Sequence, residues 1–491
     1  VRYYAKASVK IDKNEGDALS LFSLHAIIKQ GLRQIANPMD LRRLQCKILE
    51  DSILRELSAL AKGQGTPLFV VGGYIRDLYL GTERRDYDLT LPRRAAFLIP
   101  RIEEMFHLRF FQVGKEATET ATYRVVKGDM SLDITFLQGG TIDEDLERRD
   151  FSINAIAFSL QDETFSWTHN AWKDLEGRVI RTVSGRAIDL DPLRMLRAIR
   201  YLCTLEGFVL DSSLKEEIAS KRGTIKSVPE ERIKVELDRI FLAPRRTLGV
   251  KALFETGLLL TLFPELTGLQ SLGQGEYHHL NVLPHTLLTI EKILWAIEWS
   301  RLREKNIPLS QDDILSLSYA ALFHDLGKQE TYHADEAGKV HFYQHESYSS
   351  QTAGEIMERL RFSNAMRERI LRLVQNHMRI VNLSSQTKES ALKRLVYQVG
   401  EDTPLLVLLT LADKEASRGI LAIPKDEVVE HHCLRILELY TEKDVTHPPR
   451  LITGHDVMAL GYDPGPKVGQ ILNVIRQRQS MGEIKSRQEA L

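Results

Sequence analysis

Leu68-Phe-Val-Val-Gly-Gly-Tyr-Ile-Arg-Asp77, followed by Arg84-Arg-Asp-Tyr-Asp-Leu-Thr-Leu91, decides how the rest of the chain is read. Four apolar residues predict a short buried strand. Two adjacent glycines then remove both Cβ atoms, so backbone N–H groups at a helix start can come close to a phosphate. The short helical run closes at Gly81. Asp86 and Asp88 flank Tyr87 on a second predicted strand, and a period of two sends both carboxylates to one face. Carboxylates so close repel each other unless a divalent cation lies between them, and oxygen ligands suit Mg²⁺. A bare Asp-x-Asp also fits a solvated edge strand. The glycine turn, with Arg76, Arg84 and Arg85 beside it, turns the reading toward a metal-bound nucleoside triphosphate.

Working outward, a polar start (Lys10 to Asp17) leads to an apolar-periodic helix over Leu19–Ile35. A second helix is predicted from Met39 to Leu60, with Leu41, Leu44, Ile48, Leu49 and Ile53 on one stripe, ending at Gly63-Gln-Gly65. Beyond the opening stretch come a helix near Ala95–Met105 and short strands near Phe110–Val113 and Tyr123–Val126. Ser131-Leu-Asp-Ile-Thr-Phe136 alternates, so Asp133 and Thr135 share a face and Asp133 can supply a third carboxylate. Glu147-Arg-Arg-Asp-Phe-Ser-Ile-Asn-Ala-Ile156 sets two arginines and an aspartate before an apolar helix, and this mixed α/β region ends near Leu160.

From Asp191 there is almost no strand signal. Asp191-Pro-Leu-Arg-Met-Leu-Arg-Ala-Ile-Arg200 opens with an N-cap aspartate and proline at the first helical position. Val228-Pro-Glu-Glu opens another helix, a bundle runs from about His285 to Lys414, and Pro448–Leu491 forms a small tail with Thr453-Gly-His-Asp456 as a helix start.

These motifs carry a resemblance. Gly-Gly-x-x-Arg-Asp, Asp-x-Asp, Arg148-Arg149-Asp150-Phe-Ser-Ile-Asn154 and Asp191-Pro-Leu-Arg194 stand in the order of the bacterial class II nucleotidyltransferases. That family comprises enzymes adding CCA, CC or A to tRNA 3′ ends, together with bacterial poly(A) polymerases. One departure is Leu190, where many members have a glutamate. The resemblance implies an α+β fold: a mixed α/β, polymerase-beta-like head, an all-helical RNA-binding neck, a helical HD domain and a helical tail. The bounds expected are 1–45 for an N-terminal extension, 46–160, 161–255, 256–420 and 421–491. It implies two-metal transfer from CTP and ATP to tRNA, with Asp86, Asp88 and Asp133 catalytic and Mg²⁺ at Asp86 and Asp88. Gly72, Gly73, Arg76, Asp77, Arg148, Arg149, Asp150 and Asn154 would bind nucleotide. Arg197 and Arg200 are candidates for nucleotide or RNA phosphate, alongside a solvated or ion-paired role.

Asp191 and Arg194, at i and i+3, can point to one pocket. A carboxylate only accepts and a guanidinium only donates. Cytosine and adenine each offer an amine beside a ring-nitrogen acceptor, so the pair suits C and A and disfavours U and G; in the family it is the protein template. An ordinary helix-start salt bridge is the alternative. Lys234, Arg239, Arg245 and Arg246 are candidates for following an RNA backbone.

His285, His324-Asp325, His345, His377 and Asp413 fall in the order of an HD-type metal phosphohydrolase. Leu322-Phe-His-Asp-Leu-Gly-Lys328 is the most specific part, since His and Asp lie together in an apolar helix closed by glycine. Imidazole and carboxylate suit a transition metal such as Ni²⁺ or Mn²⁺. The resemblance implies a phosphatase or 2′,3′-cyclic phosphodiesterase.

Composition narrows the classes. The 491 residues, 43% hydrophobic, can bury more than one core. Lys+Arg 66 against Asp+Glu 67 gives a net charge of −1, so any polyanion must be met by local patches. Cys46, Cys203 and Cys433 lie far apart without CxxC spacing, which suggests buried inert thiols. No apolar run approaches the roughly 18 residues of a membrane span, and a cytoplasmic, non-membrane protein is expected. Rival functions are a poly(A) polymerase, which shares the head motifs, and an HD phosphohydrolase with an inactive head, against which the intact Asp86, Asp88 and Arg148–Asp150 argue. The choice among CCA, CC and A is expected to depend on loop movements near 92–122.

Overall fold

The computed structural model describes residues 40–82, 85–113, 122–275, 279–417 and 423–491. The helix expected over Leu19–Ile35, Arg84, part of the 92–122 loop and His278 lie outside them. Contacts divide the chain into two compact units at Gly177/Arg178.

The first unit is a seven-stranded mixed sheet. Its strands are β1 (Phe69–Val71), β2 (Asp86–Leu91), β3 (Phe111–Val113), β4 (Thr122–Lys127), β5 (Met130–Phe136), β6 (Ile156–Ser159) and β7 (Phe165–Trp167), in spatial order β3-β4-β5-β2-β1-β6-β7. The helix expected over Met39–Leu60 is two, Leu41–Glu50 and Ser52–Gln64, because Asp51 takes extended backbone and its carboxylate accepts from the N–H groups of Ile53 and Leu54. The break rotates the buried stripe: Leu44 and Ile48 serve the first helix, Leu54, Leu57 and Ala61 the second. Leu41, expected on the stripe, is exposed.

After Asn154 there is no apolar helix. A single 3-10 turn, Ser152–Asn154, leads into β6, all four residues of which are buried between β1 and β7. A four-residue apolar run is too short for a helix and fits a central strand. β7 lies beyond Leu160, so the sheet continues past the end expected for this domain.

The second unit is helical apart from two small pairings, Val179–Ile180 with Val209–Leu210 and a hairpin of Tyr332–Ala334 with Val340–Phe342. Neither had a clear sequence signal. Helix Arg194–Thr204 packs on Glu230–Leu242 and Arg246–Glu255; further along, Val282–Leu302 lies along Thr403–Ser417 while Gln311–Phe323 and His345–Arg359 both meet Asn364–Asn376. Residues 389–417 are long and apolar enough to cross a bilayer, contrary to expectation. They bend through a 3-10 turn at Gly400–Asp402 and most of the run is buried in the bundle, as a core helix is. The tail closes a small core of its own from Ile452, Val457, Val468 and Ala490, with Thr453 and Asp456 forming a capping box.

Candidate functional site

β2 and β5 are parallel, with Asp86 opposite Ser131 and Asp88 opposite Asp133. Equal register on parallel strands puts Asp88 and Asp133 on one face. Asp133 in turn stands opposite Arg124 on antiparallel β4, whose Nε donates to Oδ1 at 2.7 Å while Nη2 holds Oδ2. The third carboxylate therefore comes with a counter-ion that sequence reasoning missed; strand alternation on β4 was the signal available. Asp86 is exposed and accepts from the Ser131 hydroxyl at 2.7 Å. Asp88 lies deeper. Burial pushes its carboxyl up to about 6; Arg149 and Arg76 oppose the rise, and Asp133 and Asp86 add to it.

The glycines lie against this group. Gly72 has φ +68°, and a Cβ there would stand 3.1 Å from Nη1 of Arg149 and 3.8 Å from Oδ2 of Asp88; a Cβ on Gly73 would stand 3.4 Å from the same oxygen. On the opposite face Tyr87 donates to Asp51 at 2.8 Å and stacks on Tyr74. Arg76 donates through Nε to Asp77 at 2.8 Å and through Nη1 to Asn154, whose amide donates to Asp150 at 3.0 Å. These four are buried, and Asp77, Asp150 and Asn154 serve as partners within the network. Arg149 is steadied by Asp145, with Nε and Nη2 at 3.1 and 2.9 Å, whereas Arg148 is exposed.

In the second unit, helix Arg194–Thr204 begins three residues after Asp191, later than the proline signal suggested. Asp191 still accepts from the N–H of Leu193 at 3.2 Å, and its other oxygen pairs with Arg232 at 2.9 Å. Arg194 donates to the carbonyl of Ala187 at 3.2 Å. Arg197 lies 6.0 Å from the Tyr201 ring. Arg200 turns inward: its Nε is 3.3 Å from buried Glu236, and burial lowers its pKa. Of the roles expected for Arg200, the structure shows the ion-paired one, between helices. Arg246 is likewise buried and Lys234 pairs with Asp238, so neither is a free surface cation, while Arg239 stays half-exposed. Leu190 is exposed.

The histidine set converges. His285 lies in the first turn of Val282–Leu302, His324 caps the end of Gln311–Phe323, His345 begins its helix, His377 ends Asn364–Asn376, and Asp413 comes from Thr403–Ser417. The helix expected to contain both His324 and Asp325 stops at Phe323; Asp325 starts a 3-10 turn, which lets neighbours in sequence enter one site. Gly327 closes that turn against the backbone of His345 and Ser349, where a Cβ would collide.

All six side chains are buried, in two groups of three potential ligands: His285, His324 and Asp413, and Asp325, His345 and His377. Asp325 spans both, with Oδ2 at 3.1 Å from His324 and 3.6 Å from His285, and Oδ1 at 3.4 Å from His345. His285 is 3.0 Å from Asp413. Burial would raise the Asp325 carboxyl, but the charges of His324 and Lys328 hold it well below the usual carboxylate range.

The donor set fits a metal. Nδ1 of His324, His345 and His377 lies 2.8, 2.9 and 2.7 Å from a backbone carbonyl, leaving Nε2 of each for the site. Nε2 of His345 and of His377 are 3.1 Å apart, and with both Nδ1 atoms donating, such a pair needs a positive charge between its lone pairs. Burial, with the neighbouring charges of His324 and His345, lowers His377 to about 3, the neutral form a metal requires. Sequence reasoning missed Lys328 and Gln274: the Lys328 ammonium lies 2.8 Å from Oδ2 of Asp325 and 2.6 Å from Oε1 of Gln274.

Family models match along the same order: the Poly A polymerase head domain over 68–181, the probable RNA and SrmB-binding site of polymerase A over 207–269, and the HD domain over 283–417. An A-adding tRNA nucleotidyltransferase of Deinococcus radiodurans is 31% identical over 86% of this chain and 93% of its own length. The chain belongs to the tRNA nucleotidyltransferase family. A CC-adding tRNA nucleotidyltransferase of Thermus thermophilus is 33% identical over 86% of this chain and 92% of its own. Among solved structures, a CCA-adding enzyme in complex with CTP superposes with a TM-score of 0.63 at 20% identity, covering 92% of this chain and 97% of that one. The Thermotoga maritima CCA-adding enzyme complexed with tRNA gives 0.59 at 21%, over 92% of this chain and 97% of that one. As a member of this family the chain is a nucleotidyltransferase with a helical HD region, and the family's chemistry implies divalent metal ions.

Proposed function

We propose that the chain extends tRNA 3′ ends with all or part of CCA, from CTP and ATP. The observation that carries this is the register of Asp88 against Asp133 beside a glycine turn, in a chain matching tRNA-tailing relatives over most of their length. Asp86 and Asp88 would hold Mg²⁺, which would supply activation of the RNA 3′-hydroxyl and charge neutralisation at the leaving pyrophosphate. Gly72 and Gly73 admit the triphosphate, and Arg149, fixed by Asp145, faces it. Arg148 reaches outward for the substrate. Arg76, Asp77, Asp150 and Asn154 hold the pocket wall rigid, and Arg124 keeps Asp133 aimed at the site. Asp191 and Arg194 read the amine and ring nitrogen of C or A. The head is taken to run to Gly177, the neck to 255, the HD domain to 420 and the tail to 491. A tRNA substrate sets the cytoplasm as its place of work.

The HD cluster is assigned a phosphohydrolase role on RNA-end phosphoesters, including 2′,3′-cyclic phosphates, with a transition metal such as Ni²⁺ or Mn²⁺. Incubation with tRNAs ending at the discriminator base, C or CC, each with labelled CTP or ATP, separates CCA, CC and A addition from poly(A) synthesis. Equal tailing of unrelated RNA would overturn the tRNA assignment. Hydrolysis that survives Asp325→Ala would remove the HD one.

A further inference from the structure

We infer that Lys328 is a resident counter-cation of the HD centre, competing with a divalent ion for Asp325, and that Gln274 is its second berth. The inference rests on the proposed metal-centre reading of that cluster. Lys328 sits in the 3-10 turn Leu326–Lys328, three residues after Asp325, and is buried. Its ammonium is shared between Oδ2 of Asp325 at 2.8 Å and the neutral amide oxygen of Gln274 at 2.6 Å, 5.4 Å from the centre of the Phe342 ring. Gln274 is buried too, and its own amide nitrogen is tied to the carbonyl of Leu280 at 3.2 Å. The oxygen that Lys328 holds is the one turned to His324 and His285, at 3.1 and 3.6 Å.

A divalent ion bound there draws on the same lone pairs and repels the ammonium. Gln274 offers an acceptor outside both ligand groups, so the ammonium can lean on it without leaving the interior. Metal affinity is the difference between the metal-bound and metal-free forms. Lys328 lowers the energy of the metal-free form, by neutralising a buried carboxylate, and raises that of the metal-bound form. Both effects have one sign: Lys328 weakens metal binding. Gln274 does the reverse: its bond to the ammonium is shared with Asp325 in the metal-free form and becomes the ammonium's main one once the ion has taken the Asp325 oxygen, so it counts for more in the metal-bound form.

The test uses the full chain with Ni²⁺ and Mn²⁺ separately, in equilibrium competition with a chelating dye, together with melting temperatures with and without each ion. Lys328→Met is expected to bind at least about tenfold tighter and Gln274→Ala about threefold weaker, while Gln274→Ala added to Lys328→Met changes affinity by less than about twofold. Equal or weaker binding by Lys328→Met overturns the inference and assigns Lys328 to holding Asp325 for the ion. If Lys328→Met does not fold, Gln274→Ala decides, and undiminished binding by that variant overturns it. If the wild type and His324→Ala take up metal equally, or not at all, the metal-centre reading falls and the inference with it.

Discussion

Asp88 gives the transferase a pH threshold that magnesium should move. Its carboxyl is raised from 3.8 to about 6 by burial, with Asp133 and Asp86 adding and Arg149 the largest opposing charge. At pH 7 about nine-tenths of a group with that pKa is ionised, and at pH 5 about a tenth. A cation held by Asp88 as proposed would bind the ionised form, so its affinity should fall about tenfold over that interval. At sub-saturating Mg²⁺, nucleotide incorporation should therefore fall with a midpoint near 6, and tenfold more Mg²⁺ should lower the midpoint by up to about one unit. Stability runs the other way. A raised carboxyl favours the fold when protonated, so its contribution is whole below 3.8 and is lost as pH rises through about 6. The upper bound is about 3 kcal/mol, reduced by the solvent that reaches a partly buried carboxylate. The metal-free head should melt lower at pH 7 than at pH 5 on this account, and Mg²⁺ should restore it. Arg149→Met should move the midpoint upward. A midpoint near 4, or one indifferent to Mg²⁺, would refute the reasoning.

Gly72→Ala places a side chain at φ +68° against Arg149 and should destabilise the head by about 1–3 kcal/mol. Melting and transfer kinetics should show a larger loss than for Gly73→Ala, whose Cβ meets Asp88 at an ordinary distance. Arg194→Ala should lower discrimination of CTP and ATP against UTP by about tenfold or more; unchanged discrimination would contradict the base-reading role. Tyr319→Phe removes the hydroxyl that donates to Asp238 at 2.8 Å and should cost about 1–2 kcal/mol in denaturant unfolding, moderated because Lys234 still pairs with Asp238.

The sequence made the head's strand alternation legible, since a period of two needs no tertiary information: Asp133 and Thr135 face away from buried Ile134 and Phe136 as expected. Histidine spacing picked out side chains that the structure brings together, because each occupies a helix or its end. Partners were less legible. Arg124 reaches Asp133 only through β4–β5 pairing, and Asp145 holds Arg149 across one helical turn that carried no distinctive motif. Ile156-Ala-Phe-Ser159 misled because a short apolar run has no period of its own. Arg200 was left open between two roles because charge alone does not tell a phosphate contact from a buried pair, and its partner Glu236 lies on another helix.

The ring bonds of the HD centre have a mechanical consequence. Each of the three carbonyls aiming a ring sits three residues before its own histidine: Ala321 for His324, Phe342 for His345 and Val374 for His377. The aim of each imidazole is thus built into its own short peptide and travels with it as a cartridge. A small shift of one helix on another would change the gap between the ring nitrogens while leaving each ring's aim intact, so a metal held there as proposed would keep its ligands pointed at it.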